Sequence, residues 1–389
     1  MRERLRRRRA MRAAEGAGAK ALLVTHGPDV RYLSGFTGSS GAVALLGGRA
    51  TLFTDGRYAE QARAEAAGLR VVIDKRPPEM QALEWLTSLG GRPCAYDAGR
   101  TTVASLERMK KALPGPLRRG FFLPMDGLVA GLRQIKDEEE VTRLRRACAV
   151  GCGLFAAVLE YVTRSATEAE VAAQLEFMAR LAGAEAMSFE TIVAGGERSA
   201  LPHGRASSAR LPARGFVTLD FGVVVDGYCS DMTRTVHLGR ATEREWEVYH
   251  SVLEAQQAAI AAVRAGVRCA VVDEAARSVL RDAGLEKEFA HSTGHGVGLE
   301  IHEGPRIAAG QEQVLEAGMV ITIEPGVYLA RKPAGAVPAH GRTQQGRLRS
   351  EGDAVEGHGF GVRIEDMLLV TRTGCEVLTD ASPKDWIEL

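Results

Sequence analysis

The chain has 389 residues, of which 45% are hydrophobic and 25% charged, with 50 Lys and Arg against 49 Asp and Glu. That length suggests two or three domains, and a formal net charge of +1 offers no overall field to steer the chain to nucleic acid or an acidic membrane. No apolar run approaches the ~20 residues of a membrane span, and six scattered cysteines with no Cys-x-x-Cys pair suit a reducing, cytoplasmic setting better than a disulfide framework.

Met1 to Ala10 is rich in arginine and is followed by no apolar signal-peptide core. We read it as the wet face of a first helix leading into Ala21–Val24, in preference to a nucleic-acid arm or a transit peptide. From 20 to 123, short apolar runs (Ala21–Thr25, Gly41–Leu46, Thr51–Thr54, Val71–Ile73, Cys94–Tyr96, Phe121–Leu123) alternate with helix-prone stretches near 56–67, 78–89 and 101–112. This predicts a modest α/β domain. The glycine-rich stretch from Gly35 to Gly41 lacks the ending and spacing of a phosphate loop and reads as a plain loop.

Pro124 to Gln134 reads as a link, which gives domains 1–134 and 135–389. Asp137 and Glu140 then open a helix on which Val141, Leu144, Cys148, Cys152, Phe155 and Leu159 form one apolar face. Thr167-x-x-Glu170 and Thr242-x-x-Glu245 open two more helices, and another spans about 270–283. Two helices followed by strands, twice over, predict two similar half-units around one curved sheet.

The second domain holds a concentration of acidic residues on strands. Asp226-Gly227 is a tight-hairpin signal between Phe216–Val225 and Tyr228–Asp231. With those two residues as the turn, Gly222 faces Asp231, and Asp220 and Asp231 become diagonal neighbours on one sheet face. Two carboxylates on one face of an apolar hairpin either face water or share a cation. Further on come His291, His295 and His302 within twelve positions, among Gly294, Gly296 and Gly298. These glycines argue for a loop that brings backbone close to a ligand. Glu324 ends an apolar strand run from Met319, Arg363 and Glu365 share a face of a run from Gly361 to Val370, and His203 follows Leu201-Pro202. Four carboxylates with one imidazole suit Mn²⁺, with Co²⁺ or Zn²⁺ as alternatives. Two such ions would cancel their charge and deprotonate a bridging water.

This set resembles the pita-bread metallopeptidases, the family of aminopeptidase P, prolidase, methionine aminopeptidase and creatinase. The resemblance implies an α+β pita-bread catalytic domain with pseudo-twofold halves, preceded by a smaller α/β N-terminal domain. It implies a dinuclear metal site held by Asp220, Asp231, His295, Glu324 and Glu365. His203 is implied to bind substrate and stabilise the tetrahedral intermediate, His291 and His302 to contact substrate and move protons, and Glu324 to take a proton from the attacking water. Tyr328 and Arg363 are implied to support the site and meet a substrate carboxylate. The expected activity is an Xaa-Pro aminopeptidase working through a hydroxide bridging the two metals, with a peptide carrying proline at its second position as substrate. A dipeptide-restricted prolidase is the alternative. A binding module on an inactive scaffold and a metal-free creatinase-like hydrolase are further rivals, and the family implies a homodimer. One departure is the polar stretch from Leu329 to Phe360, expected to be a surface insertion anchored at both ends by site residues.

Overall fold

A computed structural model describes residues 2–66, 68–330 and 359–389. It divides into two compact units, Met1–Arg133 and Gln134–Leu389.

In the first unit a mixed six-stranded sheet runs in the order Arg70–Ile73, Arg49–Thr54, Gly41–Leu46, Ala21–Val24, Cys94–Asp97, Phe122–Met125. Each expected apolar run overlaps one of these strands. The central strands are buried along their length, and the helix Pro78–Ser88 packs Ala82, Leu83 and Leu86 on the core formed with Leu23, Ala42 and Phe53. Two expectations need correction. Residues 124–134 are not a bare link, because Pro124 lies in an edge strand, where its missing N–H costs no ladder bond, and a helix follows at Leu128–Arg133. The first helix, Arg2–Gly16, is not uniformly wet on its basic face. Arg6 and Arg7 are buried and donate to the carbonyls of Tyr32 and Leu33, which satisfy the last turn of the helix Gly27–Ser34.

The second unit holds two helix pairs, each followed by strands. Helices Glu138–Val158, Glu168–Leu181 and Glu243–Ala262 all start with a reciprocal capping box, from Asp137/Glu140, Thr167/Glu170 and Thr242/Glu245. Helix Cys269–Asp282 completes the second pair. Each pair covers its own strands. Phe155, Val158, Val171 and Leu175 pack on Val217, Leu219 and Phe221. Val248, Val252, Ala276 and Leu280 pack on Ile321, Ile323 and Leu368. Cys148 and Cys152 lie in this helix–sheet packing as free buried thiols, and burial pushes both up in pKa.

The runs expected to be continuous strands are broken, and the breaks matter for the site. Phe216–Val225 is two strands, Gly215–Phe221 and Val223–Val225, that belong to different sheets and part at Gly222. A Cβ at Gly222 would come within 1.8 Å of the Ser230 carbonyl oxygen, so only glycine permits this crossing. The strand Val320–Ile323 stops just before Glu324, as expected from the sequence, and a new one, Gly326–Leu329, joins another sheet. Phe360–Arg363 and Asp366–Val370 part at Ile364 and Glu365 in the same way. The backbone N–H groups freed at two of these breaks bond across to other segments, Glu324 to Thr293 and Glu365 to Thr233.

The strands flanking the polar stretch pair antiparallel up to Leu329 opposite Phe360. Residues 331–358 of that stretch lie outside the described residues.

Candidate metal centre

The hairpin is built as its turn chemistry predicts. Asp226 and Gly227 both have positive φ, at 49° and 76°, and Val225 pairs with Tyr228. The same register continues through Phe221 opposite Met232 and Asp220 opposite Thr233. Asp231 stands just before the second strand, at the level of Gly222, diagonal to Asp220 as the count requires.

A cavity of ≈ 670 Å³ opens beside this hairpin. Asp220, Asp231, His295, Glu324 and Glu365 all line it, and so do His203, His291, His302 and Arg363. Among the described residues, Asp231, His295 and Glu365 each bring one ligand atom within 4.8 Å of the others. His295 Nε2 lies 3.5 Å from Asp231 Oδ2 and 3.4 Å from Glu324 Oε1. Its Nδ1 lies 3.0 Å from the Gly296 carbonyl, a bond that requires the proton on Nδ1 and leaves Nε2 as a lone pair facing two carboxylates. Burial lowers the His295 pKa to about 4, so protonation does not relieve that arrangement near neutral pH.

Asp220 meets Arg363 through Oδ2, while its Oδ1 is buried with no hydrogen-bond partner. Burial first, and then the charge of Glu365, Asp220 and Glu324, push Asp231 well above the usual carboxylate range. Glu365 is raised by burial, then by Glu324 and Asp220, and Glu324 itself is pushed up to about 7, mainly by burial. An orphaned carboxylate oxygen, an imidazole lone pair aimed at two acids, and three carboxyls strained toward neutrality all point to missing positive charge. The donor set fits divalent cations of hard or borderline character.

The side chains behind these groups are themselves held. Arg363 is 4% exposed and spends its guanidinium on Asp220, the Thr233 hydroxyl, the Tyr328 phenol and the Pro202 carbonyl. The phenol passes the contact on. Tyr328 Oη is 2.9 Å from His291 Nε2, and His291 Nδ1 is 2.8 Å from the Ser292 carbonyl. This ordering makes Arg363 the donor to Tyr328, Tyr328 the donor to His291, and His291 a neutral ring protonated on Nδ1. Burial lowers its pKa to about 4, in agreement. The His302 ring packs edge-on against His295 with centroids 4.4 Å apart.

One sequence expectation changes here. Gly294 and Gly296 do not serve a ligand loop. They lie in a short strand, and a Cβ on either would come within 2.0 or 2.1 Å of a neighbouring backbone oxygen, of Thr322 or Gly304. Arg363 lines the cavity, with four of its five N–H donors engaged by Thr233, Pro202, Tyr328 and Asp220.

Residues not singled out from the sequence also shape the site. Thr233 donates to Glu365 Oε2 at 2.7 Å, and Thr322 accepts from the His295 N–H while lying 3.4 Å from Glu324 Oε1. Strand alternation could have found them, since Thr233 follows Asp231 by two and Thr322 precedes Glu324 by two. Arg205, paired with Glu190, and Arg306 line the cavity, and Arg306 is exposed with no carboxylate paired to it among the described residues.

Residues 142–372 match metallopeptidase family M24, and residues 6–135 match the creatinase/prolidase N-terminal domain. The chain belongs to metallopeptidase family M24 and is a hydrolase with the pita-bread catalytic fold of that family. It is 35% identical over 364 residues to a protein of Pyrococcus horikoshii named Xaa-Pro dipeptidase, covering 92% of each. Among solved structures it resembles an Xaa-Pro dipeptidase from Bacillus anthracis, with 36% identity, TM-score 0.87 and 100% of both chains covered. It also resembles an X-Pro aminopeptidase from Thermotoga maritima, with 32% identity and TM-score 0.83, covering 98% of this chain and 99% of that one.

Proposed function

We propose that this chain hydrolyses dipeptides of the form Xaa-Pro, with Asp220, Asp231, His295, Glu324 and Glu365 holding two divalent ions, Mn²⁺ by the oxygen-rich donor set. The observation that carries the reading is the buried group of four carboxylates around the unprotonated Nε2 of His295, in a chain of this family. The aminopeptidase reading drawn from the sequence gives way to the dipeptidase one on two grounds. Two of the relatives described above carry the name Xaa-Pro dipeptidase. A dipeptide also brings its free carboxylate close to the scissile bond, and the cavity offers Arg306 as an exposed, unengaged guanidinium for it.

When bound, the ions would offset the carboxylate charge, polarise the scissile carbonyl and bring a water's pKa toward neutrality. The chain's own residues do the rest. Glu324 faces the cavity from a strand break and takes the proton of the attacking water, then returns it to the departing proline nitrogen. His302 and His203 hydrogen-bond the carbonyl oxygen as it gains charge. His291, neutral and fixed by Tyr328, holds the dipeptide in register, and Arg306 meets its carboxylate.

Purified protein with Mn²⁺ is tested on Ala-Pro and Ala-Pro-Ala in parallel, with a chelator control. The proposal expects metal-dependent cleavage of the dipeptide and little of the tripeptide. Equal or faster cleavage of the tripeptide restores the aminopeptidase reading, and hydrolysis of neither with metal present overturns both.

A further inference from the structure

The net charge of +1 hides a strong local asymmetry. The helix Arg2–Gly16 carries seven arginines against two glutamates, a formal +5. A cavity of ≈ 520 Å³ lies against it, lined by Arg4, Arg7, Arg8 and Arg12 of the helix and by Arg49. Arg49 opens the strand that follows the tight Gly47-Gly48 turn, where both residues have positive φ. Among the described residues Glu15 is the one acid on the cavity wall, and it forms no ion pair with Arg12 three residues away.

These guanidiniums are not placed as ordinary solvated arginines. Arg4, Arg8 and Arg12 stand four residues apart on one helix face, where like charges repel. Among the described residues, none of Arg4, Arg8, Arg12 and Arg49 makes an ion pair or hydrogen bond. Exposed arginines elsewhere do: Arg76 pairs with Asp74 and Glu84, Arg145 with Glu376, and Arg281 with Glu274 and Glu286. Arg7 is 8% exposed and fixed by its 2.7 Å bond to the Leu33 carbonyl, so one charge of the set is buried and held in place. The floor between the arginines is apolar, from buried Met11 and Leu45.

We infer that this cavity binds a compact anion carrying two or more phosphate groups. Five guanidiniums around one small volume need several negative charges close together, and the planar guanidinium fork matches phosphate oxygens bidentately. A single carboxylate cannot balance the set, and an extended polyanion would follow a surface stripe in place of a pocket. The ligand could be inorganic oligophosphate or a nucleotide whose base lies on the apolar floor.

The test uses the full chain and calorimetric titration at fixed ionic strength, with inorganic triphosphate and adenosine triphosphate as separate probes. We expect one saturable site per chain. The triple variant Arg8→Gln, Arg12→Gln, Arg49→Gln should weaken it at least about tenfold. Arg145→Gln with Arg268→Gln, a control that removes two exposed paired arginines, should bind as wild type. All versions should keep the same peptide hydrolysis, so the result is independent of the peptidase reading. Tighter binding of the nucleotide than of triphosphate identifies the nucleotide as the source, and equal binding identifies the oligophosphate group. Absence of a saturable site, binding unchanged in the triple variant, or affinity that grows with oligonucleotide length would each overturn the proposal.

Discussion

Arg363 Nη2 lies 2.5 Å from Asp220 Oδ2, while Asp220 Oδ1 is buried with nothing bonded to it. One carboxylate thus has one oxygen on a fixed cation and the other buried and unbonded, in a residue that lines the cavity. The arrangement fixes the rotamer of a side chain proposed to hold metal, and it ties that side chain through Tyr328 to His291.

Arg363→Lys keeps the charge and loses the fork. It cannot reach Asp220, Thr233 and Tyr328 together, so kcat/KM on a cleaved peptide should fall by about 10–100-fold, the usual effect of removing support around a metal ligand. Steady-state kinetics alongside metal content checks this. An unchanged kcat/KM would mean that the Asp220–Tyr328 connection plays no part.

Thr233→Val removes one hydroxyl at nearly constant volume. That hydroxyl donates to Glu365 and accepts from Arg363 Nε. Metal affinity should drop by about 10–100-fold with folding preserved, read by titration of the apoprotein with Mn²⁺. The same substitution at Thr235, whose hydroxyl bonds backbone atoms of Arg363 and the Thr218 hydroxyl but no cavity carboxylate, should leave metal affinity closer to wild type.

Buried Asp273 and half-buried Arg277 form a brace behind the His291 loop. Arg277 pairs with Asp273 at 2.7 Å and donates to the carbonyls of Phe289 and His291, while Asp273 accepts from the Thr293 hydroxyl. Arg277→Met should raise KM more than it lowers kcat, because it loosens His291 and leaves the carboxylates in place. Bound metal should not change, which separates this outcome from general unfolding.

How much of this was legible in the sequence follows from how local each signal is. The hairpin register was readable because Asp226-Gly227 dictates its own turn and strand alternation does the rest. The helix starts were readable from three capping boxes for the same reason. The strand end at Glu324 was readable where the apolar run from Met319 stops, but the breaks at Gly222 and Glu365 were not, since an apolar run carries no mark of the point where it leaves one sheet for another. Arg363 could be placed on the correct strand face by period two. The fate of its guanidinium depends on Pro202, Thr233 and Tyr328, which are distant in the chain. Asp273 and Arg277 were invisible on similar grounds: an i, i+4 pair on a helix looks like a solvated pair until the loop it braces is known.

Glu245 predicts an acid limit to stability. Burial works against its charge, but His237 Nε2 3.6 Å away, bonds from the Thr242 N–H and hydroxyl, and the charge of Arg214 hold its pKa down to about 2, from an ordinary 4.5. A depressed carboxylate adds stability that is full above the unfolded-state value and is lost as pH falls toward the folded-state one. The melting temperature of the wild type should therefore drop between about pH 4.5 and 2 more steeply than that of Glu245→Gln. Parallel slopes for the two proteins over that window would contradict the assignment.

Anomalous diffraction at the manganese edge, from crystals of the Mn²⁺-loaded protein, tests the central claim most directly. The account predicts two peaks in the cavity, bounded by Asp220, Asp231, His295, Glu324 and Glu365, with both reduced or lost in Asp231→Asn. Metal bound elsewhere, or none at these five side chains in a protein that cleaves its peptide at full rate, would contradict it.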